Sequence, residues 1–170
     1  AVAQCVVAVL AALCLSPVLA GAQHASTCSD EASALIEQVR AAVARYENVE
    51  EAIAQGYRRV GHDFPAMGEH WISLREAAHD QFDPARPQIL LYMNAQGKRR
   101  LVGTAFTAIQ DPGEPMPGPR FLHGAWHEHS GTLDDELFAA DHSSNAAPDR
   151  MRVLVLHAWT RWVVPGYEFA

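Results

Sequence analysis

The sequence has few cysteines, no extended basic cluster and no long run of one charge. Its three cysteines are Cys5, Cys14 and Cys28, and only Cys28 lies beyond the apolar N-terminal stretch. No internal disulfide is therefore expected in the rest of the chain. Basic residues cluster only at positions 98–100, and the net charge is −7. Because proteins that bind nucleic acid carry basic patches, nucleic acid is not an expected partner.

The short motifs that mark common enzyme classes are also missing. The chain has no Gly-x-Ser-x-Gly elbow, phosphate-binding loop, dinucleotide fingerprint or Cys-x-x-Cys pair. A helical zinc-protease motif that starts at His127 would need a second histidine at position 131, which is Gly131. Whether the protein is an enzyme is therefore left open, and no substrate is indicated.

The first 22 residues carry no charge. Residues 6–15 form an apolar run, Pro17 follows it, and Ala20-Gly21-Ala22 offers a small-x-small cleavage site. This pattern predicts a signal peptide over residues 1–22 and an exported domain over residues 23–170, located in the periplasm or outside the cell. A membrane anchor is the alternative, but the apolar run is short. No stable anchor is expected after signal removal.

The remaining chain predicts one α+β domain, with N-terminal helices packed on an antiparallel sheet of about four strands. Apolar residues recur at helical spacing after Ser29, and a second helix is predicted to begin at Asn48. Residues 57–72 lack periodicity and read as an irregular binding loop. Strands are predicted near residues 89–93, 100–109, 120–130 and 151–162, with the proline-rich segment 111–119 as an irregular connection.

A row of histidines marks the third predicted strand. If residues 120–130 are extended, His123, His127 and His129 share one face, because successive side chains alternate. Imidazole nitrogens two residues apart could converge on one ion at about 2.0–2.1 Å. We expect His157 or His70 to complete such a site. A polar strand face or hydrogen-bonded core histidines would explain the same pattern without a metal.

The predicted ion is zinc, with copper as the alternative. Thioethers favour Cu(I), and Met67 and Met116 lie near the histidines in sequence. Met93 ends an apolar strand and is expected in the core.

Tryptophans accompany the histidines. Trp126 is expected on the face opposite the histidine row, and Trp159 shares a strand face with His157. Aromatic rings and imidazoles around a cleft could instead hold a small organic ligand or haem. A non-enzymatic binding module for a partner or a small ligand, with self-assembly as one form, is therefore the alternative to metal binding.

Several short segments resemble a family of exported bacterial domains of unknown function, marked by Met-Gly-x-His-Trp and a closing His-x-Trp. The segments are Ala-Ile-Ala-Gln-Gly-Tyr (52–57), Met-Gly-Glu-His-Trp (67–71), Phe-Asp-Pro (82–84), residues 89–92 with 100–103, and His-Ala-Trp (157–159) before Pro165-Gly166. The resemblance covers nearly all of the predicted mature chain. It implies fold and export, lends no mechanism, and places His70 and His157 in the two most recognisable motifs.

Overall fold

The computed structural model describes residues 18–64, 67–79, 81–129, 140–141 and 151–161, with the backbone alone for 18–29, 64, 129 and 140–141. It confirms the α+β class: helices lead into an antiparallel sheet. The helices are α1 (Val18–Val43), α2 (Val49–Ala54) and α3 (Leu74–Ala77). The strands are β1 (Arg58–Phe64), β2 (Gly68–Ile72), β3 (Ile89–Ala95), β4 (Lys98–Gln110), β5 (His127–His129), β6 (Ala140–Asp141) and β7 (Arg152–Trp159).

Within the described residues the sheet has seven strands in the order β1-β2-β3-β4-β7-β5-β6, more than the four or so predicted. The main reason is that residues 57–72, predicted as an irregular loop, form the antiparallel hairpin β1–β2. A register shift between Val60 and Asp63 interrupts the alternation that identifies a strand in sequence. The predicted hairpin β3–β4 and the irregular segment 111–119 are confirmed.

Helix α1 covers one face of the sheet. Its buried residues Leu35, Ile36 and Val39 follow helical spacing and pack against Phe106, Leu154 and Leu156. The predicted helix start at Ser29 is wrong, since α1 already begins at Val18. The alanine- and leucine-containing stretch before Ser29 favours helix, so the helix continues upstream through it. No helix among the described residues is long and apolar enough to span a membrane.

Alternation along the central strands divides the sheet into two faces. The helix-packed face carries the residues that meet α1, α2 and the turn between them, including Leu90, Tyr92 and Phe106. The far face carries a separate cluster, Ile89, Leu91, Val102, Ala105 and Val155, with Ile72 and Trp159 packed against it. The same strands therefore supply two distinct apolar surfaces.

Two buried tyrosines connect the sheet to the segments around it. The Tyr92 hydroxyl donates to the Tyr46 carbonyl oxygen at 2.6 Å, and the Tyr57 hydroxyl donates to the Pro87 carbonyl oxygen at 2.6 Å. Burial raises the pKa of both phenols far above the ordinary value. Both hydroxyls therefore stay protonated and keep donating across the range in which proteins are studied.

Gly68 provides a test of the β1–β2 hairpin. Its φ is +80°, and a Cβ at this position would lie 2.3 Å from the Tyr92 carbonyl oxygen. Gly68→Ala should therefore cost roughly 3 kcal/mol in the free energy of unfolding, from backbone strain and overpacking together. Gly113→Ala is the matched control, because Gly113 has φ +84° with nothing within 4 Å. It should cost only about 1 kcal/mol. Chemical denaturation measures both, and equal costs would contradict the close approach at Gly68.

Candidate functional site

The predicted histidine row is only partly formed. The predicted strand over residues 120–130 is wrong in its first half, where Arg120–Leu122 is a 3₁₀ turn and β5 spans only His127–His129. The amide of His123 donates to the Arg120 carbonyl oxygen, as expected for a turn entered from Pro119. The His123 Nε2 lies 3.3 Å from the Gly118 carbonyl oxygen. His123 therefore does not belong to the strand that carries His127.

His127 and His157 lie side by side on neighbouring strands. His127 pairs with Val155, two residues before His157, and the two imidazole centroids are 5.2 Å apart with planes inclined by 22°. Trp159, two residues after His157, stacks on it with centroids 5.8 Å apart. Along β7, His157 thus lies between an imidazole and an indole, and this packing fixes the plane of its ring.

The other strand histidine, His129, pairs with Ala140 of β6. Its side chain lies outside the described residues, so the predicted sharing of one face with His127 stays a prediction. Trp126 packs in the cluster beneath α1, which confirms that it lies opposite the histidines. Within the part of the chain that the structure describes, no three or more His, Cys, Asp or Glu residues form a group that could hold a metal.

Met116 and Met93 do not lie beside the stacked pair His127 and His157. Met116 packs on the helix-packed side, where its sulfur lies 3.6 Å from the Gln110 Nε2. Met93 was expected in the core but is 36% exposed, because β3 extends past the covered part of the sheet toward its turn.

His70 is buried on β2 and lies on the far face, opposite Leu91 of β3. Two strands, β3 and β4, separate it from β7 and His157. Both histidines nevertheless line one cavity of about 240 Å³. The remaining lining residues are Ile72, Ala77, Gln88, Ile89, Thr107, Ile109, Val153 and Val155. The Met-Gly-Glu-His-Trp segment (67–71) and the His-Ala-Trp segment (157–159) thus each contribute one imidazole to the same space.

Hydrogen bonds of Gln88 hold one side of the cavity in place, and aliphatic side chains surround its opening. The Gln88 side chain donates from Nε2 to the His79 carbonyl oxygen and accepts from the Thr107 amide, each at 3.2 Å. These bonds hold the segment after α3 against β4. Ile109 and Val153 line the cavity while remaining 58% and 37% exposed. The cavity therefore opens to solvent between aliphatic side chains.

Charged groups near α3 form their own network. The carboxylate of Glu76 accepts from the Arg75 and Arg86 Nε atoms, each at 2.9 Å. Burial of this carboxyl raises its pKa, but the hydrogen bonds from Arg86 and Arg75 outweigh that effect, and the net pKa is lowered. None of the described residues that line the cavity is Asp, Glu, Lys or Arg.

The Met-Gly-Glu-His-Trp segment divides its residues between the two faces. The carboxylate of Glu69 accepts from the Trp71 Nε1 at 3.0 Å and from the Arg99 Nε at 2.7 Å. Arg59 adds an ion pair at 3.4 Å. Burial raises the pKa of Glu69, and these bonds and charges reverse that effect, so that the net pKa is lowered. Glu69 and Trp71 stabilise the hairpin, while His70 between them faces the cavity.

Sequence reasoning missed most of the cavity wall. The alternation of side chains along a strand could have identified two of these wall residues. Ile72 follows His70 by two residues and Val155 precedes His157 by two, so each shares a strand face with its histidine. The contributions of Ala77 and Thr107 depend on how α3 and β4 meet, which no local pattern specifies. No protein-family profile matches the chain, and comparisons with curated proteins and with solved structures also find no match.

Glu69 predicts a specific loss of stability in acid. Because its pKa is lower in the folded chain, the unfolded chain takes up this proton first as the pH falls. The contribution of Glu69 is therefore present above about pH 4.5, the ordinary value, and is lost as the pH falls through the lower folded pKa. At neutral pH, Glu69→Gln should cost roughly 1–2 kcal/mol, a range that allows for the partial exposure of Arg59 and Arg99.

Denaturant unfolding at about pH 7 and about pH 3 measures this effect. Wild type should lose more stability between the two conditions than Glu69→Gln does. Glu51→Gln, on the exposed side of α2, serves as control and should behave as wild type. An identical loss in wild type and Glu69→Gln would show that the buried ion pairs do not produce the acid sensitivity.

Proposed function

We propose that the protein is a non-enzymatic binding module that takes up a small, predominantly apolar molecule in the cavity of the far face. One observation carries this proposal: six aliphatic residues and two buried imidazoles line a single space of about 240 Å³. Ligand sites are typically apolar concavities with a few convergent polar groups. The polar residues of this lining are His70, Gln88, Thr107 and His157.

The surroundings of the cavity also support binding. The cavity opens to solvent between Ile109 and Val153, so a small molecule could enter it without unfolding of the sheet. Among the lining residues, Ala77 on α3 has the smallest side chain. A Cβ at Gly103 would lie 3.1 Å from a ring carbon of Trp159. Gly103 therefore gives Trp159 room to pack beside His157.

Export of the protein is a further part of the proposal, and its support comes from the sequence. The uncharged residues 1–22 and the small residues at 20–22 have the composition of a signal peptide. In the uncleaved chain, α1 runs from Val18 across the predicted cleavage position. Residues 1–17 lie outside the described residues.

Zinc binding by strand histidines is the second proposed function, and the contact between His127 and His157 favours it. Their ring centroids are 5.2 Å apart with planes inclined by only 22°, so the rings would have to turn out of this stack for one nitrogen of each to reach the same ion at about 2.0–2.1 Å. The third ligand would be His129, which follows His127 by two residues on β5. His70 lines the cavity two strands away and is assigned to the small ligand instead.

Adjacent alanines on α3 test the cavity. Ala77 lines it and Ala78 does not, although both are exposed. Ala77→Trp should occupy the space and weaken the binding of toluene, an apolar probe, by at least about tenfold. Ala78→Trp should bind toluene as wild type does. Ligand-observed NMR titration gives the affinities, and equal binding by the two variants would refute the cavity as the site.

Removal of single histidines tests the zinc proposal. His127→Ala and His157→Ala should each abolish stoichiometric zinc retention after dialysis, whereas His62→Ala, at an exposed position on β1, should retain the metal. Zinc should also be released as the pH falls through the imidazole range, because a ligand nitrogen must be deprotonated to bind. Elemental analysis measures the stoichiometry. Equal zinc content in all three variants would remove this second function and leave the cavity proposal intact.

A further inference from the structure

The residues that line the cavity are spread diagonally across the far face of the sheet. Read through β3 and β4, the strand register places His70 of β2 level with Trp159 of β7. Val153, at the opposite end of the lining, precedes Trp159 by six residues on the same strand. At about 3.4 Å per residue and about 4.8 Å between strands, the Cα atoms of His70 and Val153 lie roughly 25 Å apart. Two side chains do not bridge that separation around a compact space of about 240 Å³, so the cavity is an elongated groove.

The two ends of the groove differ in their exposure to solvent. His70 and Ile89, toward one end, are 0% and 5% exposed. Ile109 and Val153 form a cross-strand pair at the other end, and they are 58% and 37% exposed. Ala77 of α3, which is also exposed, borders the groove. A long ligand can therefore keep one end among buried residues while its other end extends into water beside Ile109 and Val153.

The chemistry of the lining favours an alkyl chain over a peptide. Aliphatic side chains form most of the described lining, and none of its residues is Asp, Glu, Lys or Arg. A chain of methylene groups loses no hydrogen bond in such a groove, and its transfer from water becomes more favourable with each unit of apolar surface buried. An extended peptide would bring an N–H and a C=O group per residue. Aliphatic walls leave those groups unsatisfied, which is costly.

We infer that the natural ligand is a single-chain amphiphile, with fatty alcohols and fatty acids as the chemical class. This inference rests on the proposed function of the cavity and deepens it. The alkyl chain would lie along the groove against Ile89 and Val155, with its methyl end toward His70. The polar head would remain in water beside Ile109 and Val153, and it needs no hydrogen bond from the groove.

A series of straight-chain alcohols tests the shape of the ligand. From hexanol through octanol to decanol, the affinity should rise about fourfold for each added CH₂, because each one buries further apolar surface in the groove. Adamantanol has as many carbon atoms as decanol but holds them in a compact cage. It should bind at least about tenfold more weakly than decanol, because a cage cannot extend along the groove. Calorimetric titration of the full chain gives the four affinities.

Two further ten-carbon probes test the orientation of the chain. Decanoate carries a charge at its head, and it should bind within about fivefold of decanol, because a head group that stays in water keeps its hydration. Decanediol, with a hydroxyl at each end, should bind at least about tenfold more weakly than decanol. Its second hydroxyl would be buried beside aliphatic side chains.

A substitution at the exposed end tests where the outer part of the chain lies. Ile109→Thr keeps the branched shape that suits a strand but removes apolar surface, and it should weaken decanol about fourfold or more. Toluene, which is too short to reach both ends of the groove, should bind the variant as it binds wild type. Leu74→Thr is the matched control, because Leu74 is 83% exposed and does not line the groove. It should bind decanol as wild type does.

Alkyl chains also occur in membranes, and vesicles of phosphatidylcholine separate the two sources. We expect the protein to bind free decanol and to stay in the supernatant when the vesicles are sedimented. Sedimentation with the vesicles, without binding of free decanol, would overturn the inference in favour of a membrane surface.

Each contrary result overturns a different claim. An affinity that does not rise with chain length, or adamantanol that binds as tightly as decanol, would refute an extended chain. Exclusion of decanoate, or equal binding of decanediol and decanol, would refute a head group that stays in water. If toluene binds in the cavity and no alcohol does, this inference fails and the proposed function stands. Failure of toluene and of every alcohol to bind would overturn both.

Discussion

The packing of α1 against one face of the sheet is the interaction on which the rest of the structure depends. Leu35, Ile36 and Val39 are almost fully buried against β4 and β7, and each contributes roughly 1.5–3 kcal/mol by leaving water. Because strand residues alternate, covering one face also determines which side chains of every strand point to the other. The histidines of β2 and β7 lie on that other face.

The division between faces explains the composition of the two short motifs. In the first, Glu69 and Trp71 stabilise the hairpin through ion pairs and a hydrogen bond, whereas His70 lies on the far face. In the second, Ala158 packs beneath α1 between His157 and Trp159. In each motif the histidine, His70 or His157, lines the cavity, while the next residue, Trp71 or Ala158, packs on the helix-packed face. The two motifs therefore combine residues with two separate physical roles.

The sequence predicted those parts of the fold that have a regular local signal. The buried stripe of α1, the hairpin β3–β4 and the proline-rich connection all follow from periodicity or from the geometry of proline. The hairpin β1–β2 was missed because its register shift and glycines disrupt alternation. The predicted strand over residues 120–130 is too long. The alternating histidines favour a strand, but Pro119 and Gly124 favour a turn in its first half.

The candidate site was less predictable than the fold, because it depends on which strands become neighbours. Local spacing identified His127, His70 and His157 as candidate site residues. It does not specify that His127 stacks on His157, and it does not specify that His70 and His157 line one cavity. Those relations follow from the strand order, in which β7 lies between β4 and β5. The aliphatic walls look like ordinary core residues in sequence, and only the arrangement of α3, β3 and β4 leaves a space between them.

The central claim is that the far face, and not the helix-packed core, receives a small apolar molecule. Methyl-detected NMR during a toluene titration tests this most directly, because each face carries its own methyl groups. We expect saturable shifts for Ile72, Ile89 and Val155 around the cavity, with Leu35, Leu154 and Leu156 beneath α1 nearly unchanged. Shifts confined to the second set, or none that saturate in the first, would contradict the account.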